Sequence, residues 1–530
     1  MKNTLIQESM QNTTATATSN NIVIDGKSLT IDQVWAVATK QATISISDVA
    51  LGKVQKARDF VVRAGQEGKV IYGLTTGFAA FKDVLISEDK IEDLSRNIIL
   101  SHSTSVGEPY SEEVVRASML VRVNSLIKGY SGIKKETAQM FVDMLNNHIY
   151  PYVPCRGSVG SSGDLSPLCH IVSVMIGAGE AIVNGKRISG AEVLQQNNMA
   201  PIILGAKEGL ALSNGTSVHT AHAALNIVKA EWILKTADIS LALSLEALTG
   251  SLNAFASNIH DLRPHRGQKE SAQNVRSLCK GSQLADSDVY YARVQDSYSL
   301  RCAPQVHGAS RDAFYYAKQV VGIEINSATD NPLIFVDEGI ALSGGNFHGE
   351  TIGMAMDALS IAMSEIANIS ERRIAKMIDA KNNHGLPAYL IGTELGGLNS
   401  GLMMVQYTAA ALVSENKVLS HPSTVDSIPT SANVEDHVSM AANASRHADQ
   451  IIDNVQKVLA IEFLCAAQGL EFRDKNKLGI AGQSIYNLIR TVSPAITNDR
   501  EFYKDIAEID KLLENNLMVS IIKNVPIQLL

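Results

Sequence analysis

The chain has 530 residues, 45 % of them hydrophobic and 19 % charged, with a formal net charge of −8. That composition supports a sizeable buried core, and roughly 150 residues per domain predicts three or four domains or one large assembly. The acidic balance, with no stripe of lysine and arginine, argues against a nucleic-acid partner.

Residues 1–21, MKNTLIQESMQNTTATATSNN, are polar and rich in asparagine and threonine. They lack the apolar centre of a signal peptide and are expected to be a disordered tail. The next stretch, NIVIDGKSLTIDQVWAVATKQATISI, mixes short β-like alternation with a helical segment. Helical patterns dominate from about residue 90 onward. Leu225, Val228, Trp232, Ile239 and Ala242 share one helical register, with Lys235 as its polar exception. The same helix turns almost wholly apolar at ISLALSLEAL, so it needs neighbours on several sides. Ile352, Met356, Leu359, Met363, Ile366 and Ile369 step by three or four, the seam of a second long helix. VQKVLAIEFLCAAQGLEFR also reads as helix.

The expected fold class is therefore mainly α, a long central helical bundle with a small mixed α/β N-terminal region. The expected divisions are a tail over 1–21, a mixed N-terminal domain over 22–215, the bundle over 216–460 and a C-terminal helical region over 461–530. No run of about 18 uninterrupted apolar residues occurs, so no membrane span is expected. The five cysteines, Cys155, Cys169, Cys279, Cys302 and Cys465, are odd in number and form no CxxC pair. This argues against a disulfide framework or a zinc site and points to a reducing cytoplasm; no metal ligand set is expected.

The segment GSVGSSGDLSPLCH, Gly157 to His170, poses the functional question. It is not a phosphate loop, because no lysine follows the glycines. It is not a nucleophile elbow, because Gly160-Ser161-Ser162-Gly163 lacks the G-x-S-x-G spacing. Ser166-Pro167 is expected to be an N-cap and first helical residue, with LCHIVSVMIGAGEAIV as the helix. The loop then lies near a helix N-terminus, which favours developing negative charge. Glycine permits a very tight turn. In such a turn the Gly163 nitrogen reaches the Ser161 carbonyl carbon. Ring closure with loss of water, then loss of the Ser162 hydroxyl, leaves a conjugated, electron-poor alkene.

This segment resembles the signature of ammonia-lyases and aminomutases that make their own methylidene-imidazolone (MIO) cofactor. The resemblance extends through YGLTTGF at Tyr72–Phe78, KEGLALSNGT at Lys207–Thr216 and VQDSYSLRCAPQV at Val294–Val306. It continues through DNPLIF, SGGNFHGE, QYTAAALVSENK and DSIPTSANVEDHVSMA. The family usually has Ala-Ser-Gly at the ring, and this chain has Ser161-Ser162-Gly163. The first residue gives the ring main-chain atoms only, so the Ser161 side chain stays outside it. The resemblance implies the helical superfamily shared with fumarase, a homotetramer with sites assembled from several subunits, and an aromatic amino acid as the small-molecule substrate.

It also implies roles. Tyr72 would take the β-proton, although a phenol of ordinary pKa near 10 is a poor base at neutral pH. Arg301 would grip the substrate carboxylate with its bidentate fork. Asn214, Gln295 and Tyr298 match polar positions around ring and substrate, and Phe347 packs near the ring. His102 and Glu435 match positions that recognise the substrate side chain. A histidine at 102 suits an imidazole or a phenol, and a carboxylate at 435 suits an imidazole. Taken singly, each has a plain structural explanation; the joint order of the motifs carries the assignment.

Three departures stand out. Val434 replaces a polar neighbour of Glu435, Ser217 follows NGT where many histidine enzymes have glutamine, and Ala79 follows TTGF where glycine is usual. The leading expectation is deamination of L-histidine to trans-urocanate. The alternatives are a tyrosine ammonia-lyase giving p-coumarate, a tyrosine or phenylalanine 2,3-aminomutase, and a catalytically silent relative.

Overall fold

A computed structural model describes residues 20–530 apart from 70, 73–75, 78–85, 286–293, 393 and 395. The expected tail thus lies outside the described residues up to position 19, as does Ala79. The described chain is mainly helical, as the sequence patterns predict. It divides into two units. One comprises the chain up to Leu225, Gln319–Met354 and Ser423–Ser445; the other comprises Asn226–Lys318, Ala355–Pro422 and Arg446–Leu530.

The first unit begins with a parallel pair, β1 (Asn20–Ile24) and β2 (Ala42–Ile46), with Ile22 opposite Ile44. Alternation buries Ile22, Ile24 and Ile44 and leaves Val23 at the surface. Helix α1 (Ile31–Ala38) supplies the crossover that parallel strands require. It starts with a capping box: Thr30 accepts from the Gln33 amide, and the Gln33 side chain accepts from the Thr30 amide. Helix α2 (Asp48–Gln66) follows, capped by Ser47. Helices α3 (Ile91–His102) and α4 (Glu112–Leu126) come next. Helix α4 is buried along almost its whole length, including Arg116 and Arg122. Both arginines survive burial because they donate to carbonyls: Arg116 to Val37 and Leu145, Arg122 to Ala211.

Helix α5 (Leu165–Met175) corrects the expected start. Asp164, not Ser166, is the N-cap residue. The Ser166 hydroxyl is taken by the Thr104 amide and the Ser105 hydroxyl, at 3.0 and 2.7 Å. Pro167 becomes the third helical residue, still among those whose N–H has no helical partner. The helix also ends earlier than its apolar run. Gly177 takes a left-handed φ of +77°. Its amide bonds to Val174 and that of Ala178 to Ser173, a Schellman stop. Glu180–Val183 beyond it is a strand, paired antiparallel with Lys186–Ser189.

Four long helices run later in the chain: α6 (Ser217–Ala247), α7 (Ala303–Glu324), α8 (Glu350–Ile378) and α9 (Ala441–Leu470). The six seam residues from Ile352 to Ile369 are all buried. Only α8 among the described residues has the length and apolarity of a membrane-crossing helix, and 72 % of its apolar stretch is buried in the fold.

Within the second unit, buried carboxylates tie these helices together. Asp238 on α6 accepts from Ser271, Asn274 and Arg311 at 2.7, 2.8 and 2.6 Å, with His307 Nδ1 at 2.8 Å. Glu462 on α9 accepts from Ser244, Ser370 and, through both oxygens, Arg373. A buried charge is tolerated only when so paired. Glu246, within the apolar ISLALSLEAL stretch, has weaker support. The Gly479 amide donates to it at 2.7 Å, and burial pushes its carboxyl up to about 7. Because the folded state holds this proton more tightly, its contribution to stability is full below about pH 4.5 and is lost as pH rises through 7. The loss is on the order of 3 kcal/mol. Thermal melts from pH 4.5 to 8 are expected to fall less steeply for Glu246→Gln than for the wild type. Parallel curves would show that Glu246 is not the source.

Candidate active site

The Ser161 turn is built in the first unit from glycines and carbonyls. Gly160 and Gly163 have φ of +70° and +73°. A β-carbon on Gly163 would lie 2.0 Å from the Gly215 carbonyl oxygen, so no other residue fits there. Gly163 and Gly215 form a parallel bridge, with the Asp164 amide donating to Gly215 O and the Gly215 amide donating to Ser162 O. The Asn214 side chain also donates to Ser162 O, at 2.9 Å. From the far side, the Gly349 amide and the Ser439 hydroxyl both donate to Gly160 O at 2.9 Å.

Asp164 staples the turn down. One oxygen accepts from the amides of Val218 and His219, both at 2.9 Å, at the start of α6. His219 Nδ1 lies 2.9 Å from that oxygen, and Ser158 donates to the other at 2.8 Å. Burial alone would raise this carboxyl, but the His219 ring and these donors hold it below the ordinary range. The sequence reading missed Asp164; its only signal is its place directly after Gly163.

A cavity of about 660 Å³ opens over the turn. Its lining includes seven of the expected residues: Tyr72, His102, Ser161, Ser162, Asn214, Phe347 and Glu435. Gly163 underlies it in the turn. Gln295, Tyr298 and Arg301 are not brought here; they belong to the second unit. There Tyr298 is 70 % exposed, and the Arg301 guanidinium stacks 4.6 Å from its ring centre. Of the departures, Val434 lines the cavity, while Ser217 is fully buried and does not.

Glu435 is the electrostatic focus. Its Oε1 accepts from the Ser162 hydroxyl and its Oε2 from the Ser161 hydroxyl, both at 2.7 Å; Thr430 adds a third bond to Oε2 at 2.9 Å. Burial raises the carboxyl, but the Ser162, Ser161 and Thr430 hydroxyls bring it below its ordinary value. His102, at the last turn of α3, is lowered by burial, which outweighs the Ile98 carbonyl and the Glu435 charge. The cavity therefore offers an anionic acceptor beside a neutral imidazole. Thr430 was not foreseen either, although it stands five residues before Glu435 in the same motif.

Other motif residues are structural. In KEGLALSNGT, Lys207 is buried against Asp330 at 2.8 Å, and Glu208 accepts from Thr137 and the amides of Lys134 and Gly205. The fold also draws together His348, Glu350 and His437, whose donor atoms lie within 4.8 Å of one another, a spacing that no sequence motif signalled.

A fold of this kind, carrying a serine–serine–glycine turn beneath a cavity that holds a carboxylate and an imidazole, defines a class. The chain belongs to the aromatic amino acid lyase family, whose model matches residues 29–491. It is 51 % identical over 508 residues to a protein named histidine ammonia-lyase from Caldanaerobacter subterraneus subsp. tengcongensis, covering 96 % of this chain and 99 % of the relative. The crystal structure of histidine ammonia-lyase from Trypanosoma cruzi is 40 % identical, with a TM-score of 0.89 and 95 % of each chain covered. Tyrosine aminomutase from Streptomyces globisporus is 34 % identical with a TM-score of 0.92, covering 96 % of this chain and 100 % of that one.

Proposed function

We propose that this chain is an ammonia-lyase that converts L-histidine to trans-urocanate and ammonia without oxidation. The observation that carries the substrate is Glu435: an ionised carboxylate within hydrogen-bond reach of the ring serine, facing the same cavity as His102. An imidazole N–H needs such an acceptor, and a carboxylate gives it a charge-assisted bond. The relative sharing 51 % identity and bearing the name histidine ammonia-lyase supports the same choice.

The residues fit an MIO group formed from Ser161-Ser162-Gly163. The turn is tight, Gly163 admits no side chain, and two donors converge on Ser162 O. When formed, this group supplies an electron-poor alkene that turns the substrate amine into a leaving group. Asn214 and the Gly215 amide, by donating to Ser162 O, draw electron density from whatever is conjugated to that carbonyl. Tyr72 takes the β-proton, Phe347 packs beside the turn, and Glu435 with His102 orients the imidazole. Gln295, Tyr298 and Arg301 complete the site from another copy in a homotetramer, with Arg301 holding the substrate carboxylate. The exposure of Tyr298 and Gln295 in the single chain supports that reading. A cytoplasmic location agrees with five free cysteines.

The test offers L-histidine, L-tyrosine and L-phenylalanine separately, following ammonia release and ultraviolet absorbance of the conjugated acid. Histidine is expected to turn over at least about 100-fold faster in kcat/KM than phenylalanine, which leaves buried polar groups unpaired. Glu435→Gln is expected to lower kcat/KM for histidine by about 10- to 1,000-fold. Preference for tyrosine would overturn the substrate, a β-amino acid product would make the protein an aminomutase, and turnover of none would make it a silent relative.

A further inference from the structure

Glutamate's terminal torsion is soft, so a carboxylate plane is set by the donors around it. Glu435 has three hydroxyl donors, divided between its oxygens: Ser162 on Oε1, and Ser161 with Thr430 on Oε2. The backbone is held as well, by reciprocal amide bonds between Thr430 and Glu435 at 2.9 and 3.3 Å. Ser161 is only 6 % exposed, so water competes poorly for its hydroxyl.

Ring formation treats the two serines differently. Gly163 N bonds to the Ser161 carbonyl carbon. That carbonyl oxygen leaves as water with the amide hydrogens of Gly163 and Ser162. A second water takes the Ser162 hydroxyl and its α-hydrogen, and no oxidant is needed. The Ser162 donor therefore disappears, while the Ser161 hydroxyl stays outside the ring.

We propose that Ser161 is a positioning residue for Glu435: with Thr430 it holds Oε2, while loss of the Ser162 hydroxyl releases Oε1 toward the substrate imidazole. The maturation that creates the electrophile thus also unmasks the side-chain acceptor, and Ser161 keeps that acceptor aimed. The inference rests on the histidine reading of the cavity. It assigns a use to the hydroxyl that distinguishes Ser161 from the alanine usual at this place.

The test compares wild type, Ser161→Ala, Glu435→Ala and the double variant as intact enzymes. Urocanate binding is measured by calorimetry, kcat and KM with L-histidine, and ring content by the two-water mass deficit of the peptide spanning residues 161–163. Ser161→Ala is expected to keep the mass deficit and to weaken urocanate binding about three- to tenfold, the scale of the net contribution of one ordinary hydrogen bond. KM should rise equally, with kcat changed less than about twofold, the pattern of lost uniform binding. In the Glu435→Ala background, Ser161→Ala should add nothing to the loss of binding. Unchanged binding in Ser161→Ala, an equal added loss without Glu435, or disappearance of the mass deficit would each overturn the inference. A wild type that neither binds urocanate nor turns over histidine defeats the functional reading and this inference with it. A responsive wild type beside an indifferent Ser161→Ala defeats the inference alone.

Discussion

Ser162→Ala is expected to fold normally and to lose about 10³–10⁶-fold in kcat, the range seen when a covalent catalytic group is deleted. The side chain is small, sits at the cavity wall and makes one hydrogen bond, to Glu435. Its removal leaves the glycine packing of the turn intact, because Gly163 and Gly215 meet through backbone atoms. What it removes is the leaving hydroxyl. Mass spectrometry should find the two-water deficit in the wild-type peptide and not in the variant. Activity within tenfold of wild type would sink the MIO assignment outright, since with Gly163 closing on the Ser161 carbonyl only Ser162 holds the position whose side chain becomes the alkene.

The second large effect is expected at Asp164, and it should appear in stability as well as in maturation. Asp164→Ala leaves the amides of Val218 and His219 without their acceptor in a fully buried place and takes one of two acceptors from the Ser158 hydroxyl. Breaking such a network costs about 3–5 kcal/mol. The apparent melting temperature should fall, and the mass deficit at residues 161–163 should be lost or incomplete, because the turn is no longer pinned to the start of α6. Asp164→Asn keeps one acceptor oxygen and should retain more of both properties. A variant Asp164→Ala that melts with the wild type and carries a full mass deficit would show that the glycine packing suffices by itself.

These two positions show how much was legible beforehand. The chemistry proposed for Ser162 was readable because it is local: three adjacent residues would carry the nucleophile, the carbonyl and the leaving group. Asp164 was not, because its partners at 218 and 219 are far along the chain. The helix after the turn shows the same limit. Ser166-Pro167 has the composition of a helix start, yet contacts with Thr104 and Ser105 claim the serine, and the helix begins two residues earlier than its local signals predict.

By itself, the sequence determined the mainly helical class and the buried seam from Ile352 to Ile369, since both follow from short-range periodicity. It also named the residues proposed to form the ring and to meet the substrate. Only the tertiary structure decided which of them share a cavity, that Glu435 stands against both serines across 273 and 274 positions, and that Gln295, Tyr298 and Arg301 lie in another unit. The physical reason is separation along the chain. A turn or a helix is specified by neighbours, whereas a carboxylate's partners, and with them its charge and aim, are specified by whatever distant segments the packing brings to it.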